Sequence, residues 1–318
     1  MPQALPPLAD AYALANAGRV EEAIPIIERH ASAGDGEALF VLGDMYWRGV
    51  GFEQDLSRGR ELIGEASEAG YPMAEKAYTN LLGSGIAGPR DWDSALERLE
   101  IEARSDFLRR RMLEVVRSMK LTASGDPINI PTAARLSERP DVQLFPAAFT
   151  PIECDFLIML AEPTYDRSLV IIDGREVPDP IRTSDGSTIH WLIEDPATHA
   201  INRRLAAISG TSVERGEPLH ILRYRPGQQY RPHVDWLPPP NRRIITTLVY
   251  LNEGYEGGET TFPQTGLTVR GRKGDALVFV SALPNGDLDP LSEHAGLPVM
   301  SHTKHLASRW IREGRQAP

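Results

Sequence analysis

Residues 219–236 read LHILRYRPGQQYRPHVDW. The opening LHILRY is a short apolar run of the kind that forms a strand, and the Pro and Gly after it mark a turn. His233 and Asp235 close the stretch with one residue between them. On extended backbone, residues two apart point to the same face, so the imidazole and the carboxylate can share one ion. Two ligands do not make a site, and the candidates for a third are His190, His199, His220, His294, His302 and His305. An ion held by two imidazoles and one carboxylate keeps open positions. In octahedral Fe(II) these accept a bidentate co-substrate and dioxygen, whereas zinc would keep one water and point to hydrolysis. The spacing alone also fits a surface pair.

Outward from this stretch the texture stays β-rich. RIITTLVYL at 243–251, ALVFVSA at 276–282 and ASRWIRE at 307–313 read as strands, with the turn signals EGYEGGE and GRKGDA between them. Two helices are expected upstream, in PIECDFLIMLAEP and DPATHAINRRLAAISG. Antiparallel strands behind a helical layer point to a jelly-roll or barrel. No GxGxxG or Walker motif follows a strand, which disfavours a nucleotide-binding sheet.

The first hundred residues differ. Laid over themselves at an offset of 36, they align Ala38 with Ala74, Gly49 with Gly85, Asp55 with Asp91 and Ile63 with Leu99. That period belongs to helix-turn-helix repeats, whose apolar stripes need neighbours to cover them. Ala38, Leu42, Met45 and Tyr46 form one stripe, and Leu62, Ile63 and Ala66 form the next. ADAYALANAGRVEEAIPIIERHA is expected as a truncated cap, and the arginines at 109–111 as a solvated helix face. The expected organisation is a helical repeat region at 1–120, a proline-rich linker at 121–141, and a catalytic domain at 142–318.

The chain has 318 residues, 41% hydrophobic and 25% charged, enough for about two domains with real cores. Its 34 Lys and Arg against 44 Asp and Glu give a formal charge of −10, which argues against a nucleic-acid partner. Cys154 is the only cysteine, so no intramolecular disulfide or Cys-rich zinc module can form. No apolar run is long enough to span a bilayer, and MPQALPPLADAYALANAG lacks a basic n-region before an apolar core. A cytoplasmic setting without a membrane partner is expected.

Two resemblances are carried by these motifs. ALFVLGDMYWRGVGFEQDLSRGRELIGEASEAG resembles the Sel1-like branch of tetratricopeptide-type repeats, with a degenerate second unit at 74–109. Residues 142–313 resemble the prolyl 4-hydroxylase branch of the 2-oxoglutarate and Fe(II)-dependent dioxygenases. The blocks that carry this are FTPIECDFLIMLAEP, IRTSDGS, ILRYRPGQQYRPHVD, RIITTLVYLNEGYEGGETTFP and SEHAGLPVMSHTKHLASRWIRE, in that order. The resemblance implies a multidomain α plus β chain, with α-helical Sel1-like repeats followed by a double-stranded β-helix and supporting helices. It implies Fe(II) on His233, Asp235 and His294, and 2-oxoglutarate held by Lys304, Thr260 and Tyr224. No side chain beyond the metal centre is needed as a catalyst. A dicarboxylate that chelates iron at one end needs a cation for the other, and a compact ammonium supplies it.

By the same resemblance Glu217, Tyr230, Arg243 and Trp310 contact a peptide, and Arg182 and Ser184 lie at the rim of a mobile loop over it. The implied activity is that of a 2-oxoglutarate-dependent dioxygenase that hydroxylates a peptidyl proline to 4-hydroxyproline, releases succinate and CO2, and uses ascorbate. A peptide or protein substrate, recruited by the repeats, is the expected partner; the sequence leaves the oligomeric state open. His305 stands where the family usually has Trp, and WLPPPNR is a shortened loop. Both keep open a non-proline target such as Asp, Asn or Lys. A catalytically silent repeat scaffold is the reading from a different class.

Overall fold

The computed structural model describes residues 6–172 and 175–316. These form two compact units: one runs up to Leu113 and includes Trp191–Pro196, and the other comprises Glu114–His190 and the chain from Ala197 onward.

The first unit is helical. It comprises α1 (Leu8–Asn16), α2 (Val20–Ser32), α3 (Gly36–Arg48), α4 (Leu56–Glu68), α5 (Pro72–Ser84), α6 (Trp92–Glu102) and the start of α7 (Phe107–Ser118). The 36-residue period is visible in its chemistry. The α3 and α5 helices both end on a glycine in the left-handed region, Gly49 at φ 69° and Gly85 at φ 73°, where other residues are strained. Asp55 and Asp91 both cap the next helix, accepting from the backbone N–H of Arg58 and Ser94. The α3 and α4 helices pack at very short range because Gly43 meets Gly59: a Cβ on Gly59 would stand 2.9 Å from the Gly43 carbonyl. Leu42, Leu62, Ile63 and Ala66 fill the core, which Trp191 and Leu192 join from the edge. The Asn80 amide donates to the Leu192 carbonyl.

One expectation fails here. Arg109 does not lie on a solvated face but is 4% exposed, because its position on α7 turns it inward, where it pairs with Glu102 at 3.0 Å and donates to Asn80. A buried guanidinium needs such partners.

The second unit forms, in its described residues, a large antiparallel sheet, a smaller four-stranded one and two two-stranded ribbons. Its strands are β1 (Ala134–Glu138), β2 (Asp141–Phe145), β3 (Asp166–Arg167), β4 (Leu169–Ile172), β5 (Arg175–Pro178), β6 (Asp185–Ile189), β7 (Leu219–Tyr224), β8 (Tyr230–His233), β9 (Arg243–Tyr250), β10 (Glu256–Gly257), β11 (Thr260–Phe262), β12 (Leu267–Val269), β13 (Ala276–Val280), β14 (His294–Gly296), β15 (Val299–Ser301) and β16 (Lys304–Arg312). The large sheet has the order β1-β2-β13-β9-β16-β7-β6-β3, and the smaller β12-β11-β14-β8; the ribbons pair β4 with β5 and β10 with β15. Strands β7, β9, β13 and β16 of the first and β8, β11, β12 and β14 of the second are the eight strands of a double-stranded β-helix. Helices α8 (Pro151–Ala161) and α9 (Pro196–Ile208) accompany them.

Alternation explains the interior. On β9, Leu248 and Tyr250 turn to one face and join Leu222, Tyr224, Phe279 and Leu306 in a core between the sheets. The stretch 121–141, read as a linker, carries β1, whose hairpin with β2 extends the large sheet. The segment IRTSDGS, read as a loop, is strand from Asp185 onward and pairs with β7. Among the described residues no helix is long and apolar enough to cross a membrane.

Candidate metal and co-substrate site

Strand register builds the site. His233 ends β8, His294 begins β14, and the two are directly paired across the smaller sheet. Asp235 lies two residues beyond β8 and is 4% exposed. Ligand atoms of His233, Asp235 and His294 all lie within 4.8 Å of one another, the one such cluster among the described residues. Asp235 Oδ1 is 3.7 Å from His233 Nε2, and Oδ2 is 3.4 Å from His294 Nε2.

The surroundings decide how these groups present themselves. His233 Nδ1 faces the Arg231 carbonyl at 2.8 Å, and His294 Nδ1 faces the Ser292 carbonyl at 3.0 Å. A carbonyl can only accept, so each Nδ1 carries the proton and each Nε2 offers a lone pair. Two lone pairs and a carboxylate therefore converge on one point, the donor set that a metal cation takes. Thr246 donates to Asp235 Oδ2 at 2.7 Å and fixes that carboxylate. Burial and the neighbouring His294 push the His233 imidazole down to about 4. Burial acts to raise Asp235, but the His294 and His233 imidazoles in their protonated forms, together with the Thr246 hydroxyl, hold its carboxyl well below the usual range. These groups fit a divalent metal of the Fe(II) kind, with two imidazoles and one carboxylate as donors.

Lys304 lines the same cavity as this trio. It begins β16 opposite Tyr224 on β7 and is 3% exposed. Its Nζ donates to the Gly258 carbonyl at 2.7 Å and lies over the rings of Tyr224, Tyr250 and Tyr255 at 5.6, 5.6 and 5.9 Å. Gly258 can come this close because it has φ 70° and no Cβ, which would press on Val299 and the lysine stem. Among the described residues no carboxylate stands within ion-pair distance of Nζ, and burial lowers Lys304 to about 8. Thr260 meets the Tyr250 hydroxyl at 3.1 Å. A buried cation walled by tyrosines and lacking a counter-ion is a place for an anion.

The other expected residues divide. Tyr230 stacks on His233 with ring centroids 3.4 Å apart, and Arg182 lies over Tyr230 at 5.5 Å. Trp310 lines the cavity. Glu217 and Arg243 are brought together, but as a two-pronged ion pair with both bonds at 2.8 Å, and Arg312 also donates to Glu217. Arg243 lies 4.2 Å over the Trp310 ring, so it props the tryptophan. Ser184 is no rim residue: it is 0% exposed, and its hydroxyl meets that of Ser168 at 3.2 Å. His190, His199, His302 and His305 stand outside the cluster. The sequence reading passed over Thr246, Tyr250 and Tyr255. The first two were detectable, since they share the inward face of β9 with Leu248. A larger cleft of about 950 Å³ lies along Ile244, Val280 and Leu283, but neither the trio nor Lys304 lines it.

Residues 219–312 match the family model of the 2OG-Fe(II) oxygenase superfamily. Prolyl 4-hydroxylase 1 of Arabidopsis thaliana is 36% identical over 186 residues, 52% of this chain and 66% of that protein. Probable prolyl 4-hydroxylase 10 of the same plant is 31% identical over 225 residues, 62% of this chain and 78% of the relative. Among solved structures, the 2OG complex of the viral collagen prolyl hydroxylase from Paramecium bursaria Chlorella virus-1 aligns with 54% of this chain and 95% of its own, at 28% identity and a TM-score of 0.42. A Sel1 repeat protein from Oxalobacter formigenes aligns with 34% of this chain and 84% of its own, at 24% identity and a TM-score of 0.31.

Proposed function

The chain belongs to the 2OG-Fe(II) oxygenases, as a relative of the prolyl 4-hydroxylases and a 2-oxoglutarate-dependent dioxygenase, and from that premise we propose that it hydroxylates a prolyl residue of a peptide or protein. The observation that carries the reading is one cavity lined both by the converging acceptors of His233, Asp235 and His294 and by Lys304, a buried cation with no carboxylate partner among the described residues.

In the balanced reaction, 2-oxoglutarate loses CO2 and becomes succinate. One atom of dioxygen enters the new succinate carboxylate, and the other is inserted into a C–H bond. Fe(II) held by His233, Asp235 and His294 would supply the activation of dioxygen that no side chain provides. The protein does the rest. Lys304 takes the distal carboxylate of 2-oxoglutarate, with the Thr260 hydroxyl beside it. The apolar walls contributed by Leu222, Leu248 and Leu306 keep water out. Tyr230 and Trp310 offer aromatic surfaces to the substrate chain, and Glu217, through Arg243, keeps Trp310 in place. No side-chain base is needed. Ascorbate is part of the proposal as the external reductant.

With Fe(II), 2-oxoglutarate, ascorbate and an oligoproline peptide, succinate should form in step with a peptide that has gained one oxygen, and His233→Ala should form neither. Succinate formation that persists in His233→Ala would overturn the reading. Oxygen found on Asp, Asn or Lys of a mixed peptide, and never on proline, would keep the chemistry and replace the substrate.

A further inference from the structure

Among the described residues the first unit exposes six large apolar side chains, and four of them stand in one corner: Met73, Ile101, Phe107 and Leu108, at 58, 60, 66 and 38% exposure. Met73 lies in the first turn of α5, Ile101 in the last turn of α6, and Phe107 and Leu108 open α7. Two bonds gather these helix ends. Lys76, one turn after Met73, pairs with Asp106, the residue before Phe107, and Arg110 on α7 donates to the Ala103 carbonyl at 3.1 Å, just past the end of α6. Apolar side chains scattered singly over a surface need no explanation, whereas neighbouring ones mark a contact surface.

The same corner holds unpaired cations. Arg104 follows Ile101 by three positions, tied to it by a backbone bond of 3.2 Å, and is exposed with no carboxylate within ion-pair distance among the described residues. Arg110 is exposed too. It spends two of its five N–H groups on the Ala103 and Arg104 carbonyls, which seats the guanidinium at the negative end of α6 and leaves the rest to a partner. By contrast Arg19, Arg48 and Arg58 of this unit are each paired with an acid three or four positions away. The run of arginines thus divides, with Arg109 turned into the core and Arg110 out to this corner.

We propose that the corner where α5 begins, α6 ends and α7 begins is a docking surface for an acidic segment of a protein partner, one that alternates carboxylates with aromatic or branched apolar residues. Charge complementarity selects this occupant in a chain whose formal charge is −10. The carboxylates take guanidinium bonds from Arg104 and Arg110, and the apolar side chains cover the ledge around Phe107. A bilayer surface asks for a wider basic field, of about four to eight Lys and Arg, and here Asp106 already neutralises Lys76. None of these residues lines the metal cavity, so the docking surface stands or falls apart from the catalytic reading.

The test pans the full chain against a display library of random peptides of about 15 residues, long enough to cover one helix corner, in parallel with a Phe107→Ser, Arg104→Glu double variant. Peptides kept by the wild type and lost by the variant should be rich in Asp and Glu interleaved with Phe, Leu or Trp. A synthetic copy of one of them should bind about tenfold or more weakly to each single variant, and more weakly to the wild type as salt is added. Both residues are exposed and the Arg104 side chain makes no hydrogen bond, so helical circular dichroism should stay unchanged; should Phe107→Ser fail to fold, Met73→Ser reads the same ledge. No peptide that distinguishes wild type from variant, or distinguishing peptides without acidic residues, overturns the inference. So does self-association of the wild type that the variant lacks, or capture of acidic-lipid vesicles or duplex DNA through the same two residues, since each puts a different occupant on the corner.

Discussion

Replacing Lys304 by methionine should make the ligand-free protein more stable and deprive it of its co-substrate. The lysine is 3% exposed, its ammonium has one hydrogen bond at 2.7 Å, and three tyrosine rings stand in for a counter-ion. Burial lowers its pKa from 10.5 to about 8, which at about 1.4 kcal/mol per pKa unit is a cost of roughly 3 kcal/mol for keeping the charge. The sign follows from the depressed folded value. At pH 7 the group is charged in both states and the full penalty is present; it fades as pH rises from about 8 to 10.5. Methionine removes it and leaves the Gly258 carbonyl without its donor, which costs about 1–2 kcal/mol. The net expectation is a gain of roughly 1–2 kcal/mol, with the melting temperature up by about 2–4 °C per kcal/mol. The same change leaves the distal carboxylate of 2-oxoglutarate buried and unpaired, a loss of about 2–5 kcal/mol in binding. Anaerobic thermal unfolding with Mn(II), with and without 2-oxoglutarate, reads both effects. Wild type should start lower and shift upward with the ligand; Lys304→Met should start higher and stay still. A variant that melts below wild type and still shifts with 2-oxoglutarate would refute the reasoning.

Half-saturating 2-oxoglutarate should be flat up to pH about 8 and rise about tenfold per pH unit above it, as Lys304 loses its proton; calorimetric titration from pH 7 to pH 9.5 checks this. Thr246→Val removes the 2.7 Å bond to Asp235 and should weaken metal binding by about tenfold to a hundredfold, with Thr246→Ser close to wild type in a Mn(II) titration. In the helical unit, Gly59→Leu forces a side chain onto backbone 2.9 Å away and should destabilise by about 2 kcal/mol or more, seen as an earlier unfolding of helical circular dichroism.

The helical period was legible down to single positions, because the left-handed glycines Gly49 and Gly85 and the capping acids Asp55 and Asp91 are local chemistry that repeats with the fold. The β strands were legible as apolar runs, and β7 runs from Leu219 to Tyr224, the span of LHILRY. The third metal ligand was not legible from spacing. Six histidines competed, and what selects His294 is its pairing with His233 across the smaller sheet, a long-range register that no local pattern encodes. The family resemblance supplied it instead. Lys304 came from the same resemblance, while its tyrosine walls depend on how β7, β9 and the turn bearing Tyr255 converge. The inward turn of Arg109 and the burial of Ser184 were missed for one reason: charge runs and loop-like composition say nothing of which face a neighbour will cover.

The proposed function places the coupling of 2-oxoglutarate to hydroxylation on one site, His233, Asp235 and His294. Turnover under isotopically heavy dioxygen, with Fe(II), ascorbate, 2-oxoglutarate and oligoproline, tests it most directly, with succinate and peptide both analysed by mass spectrometry. One heavy oxygen is expected in succinate and one in a hydroxyproline of the peptide, and neither with Asp235→Ala. Peptide that gains its oxygen from water, or labelling that survives Asp235→Ala, would contradict it.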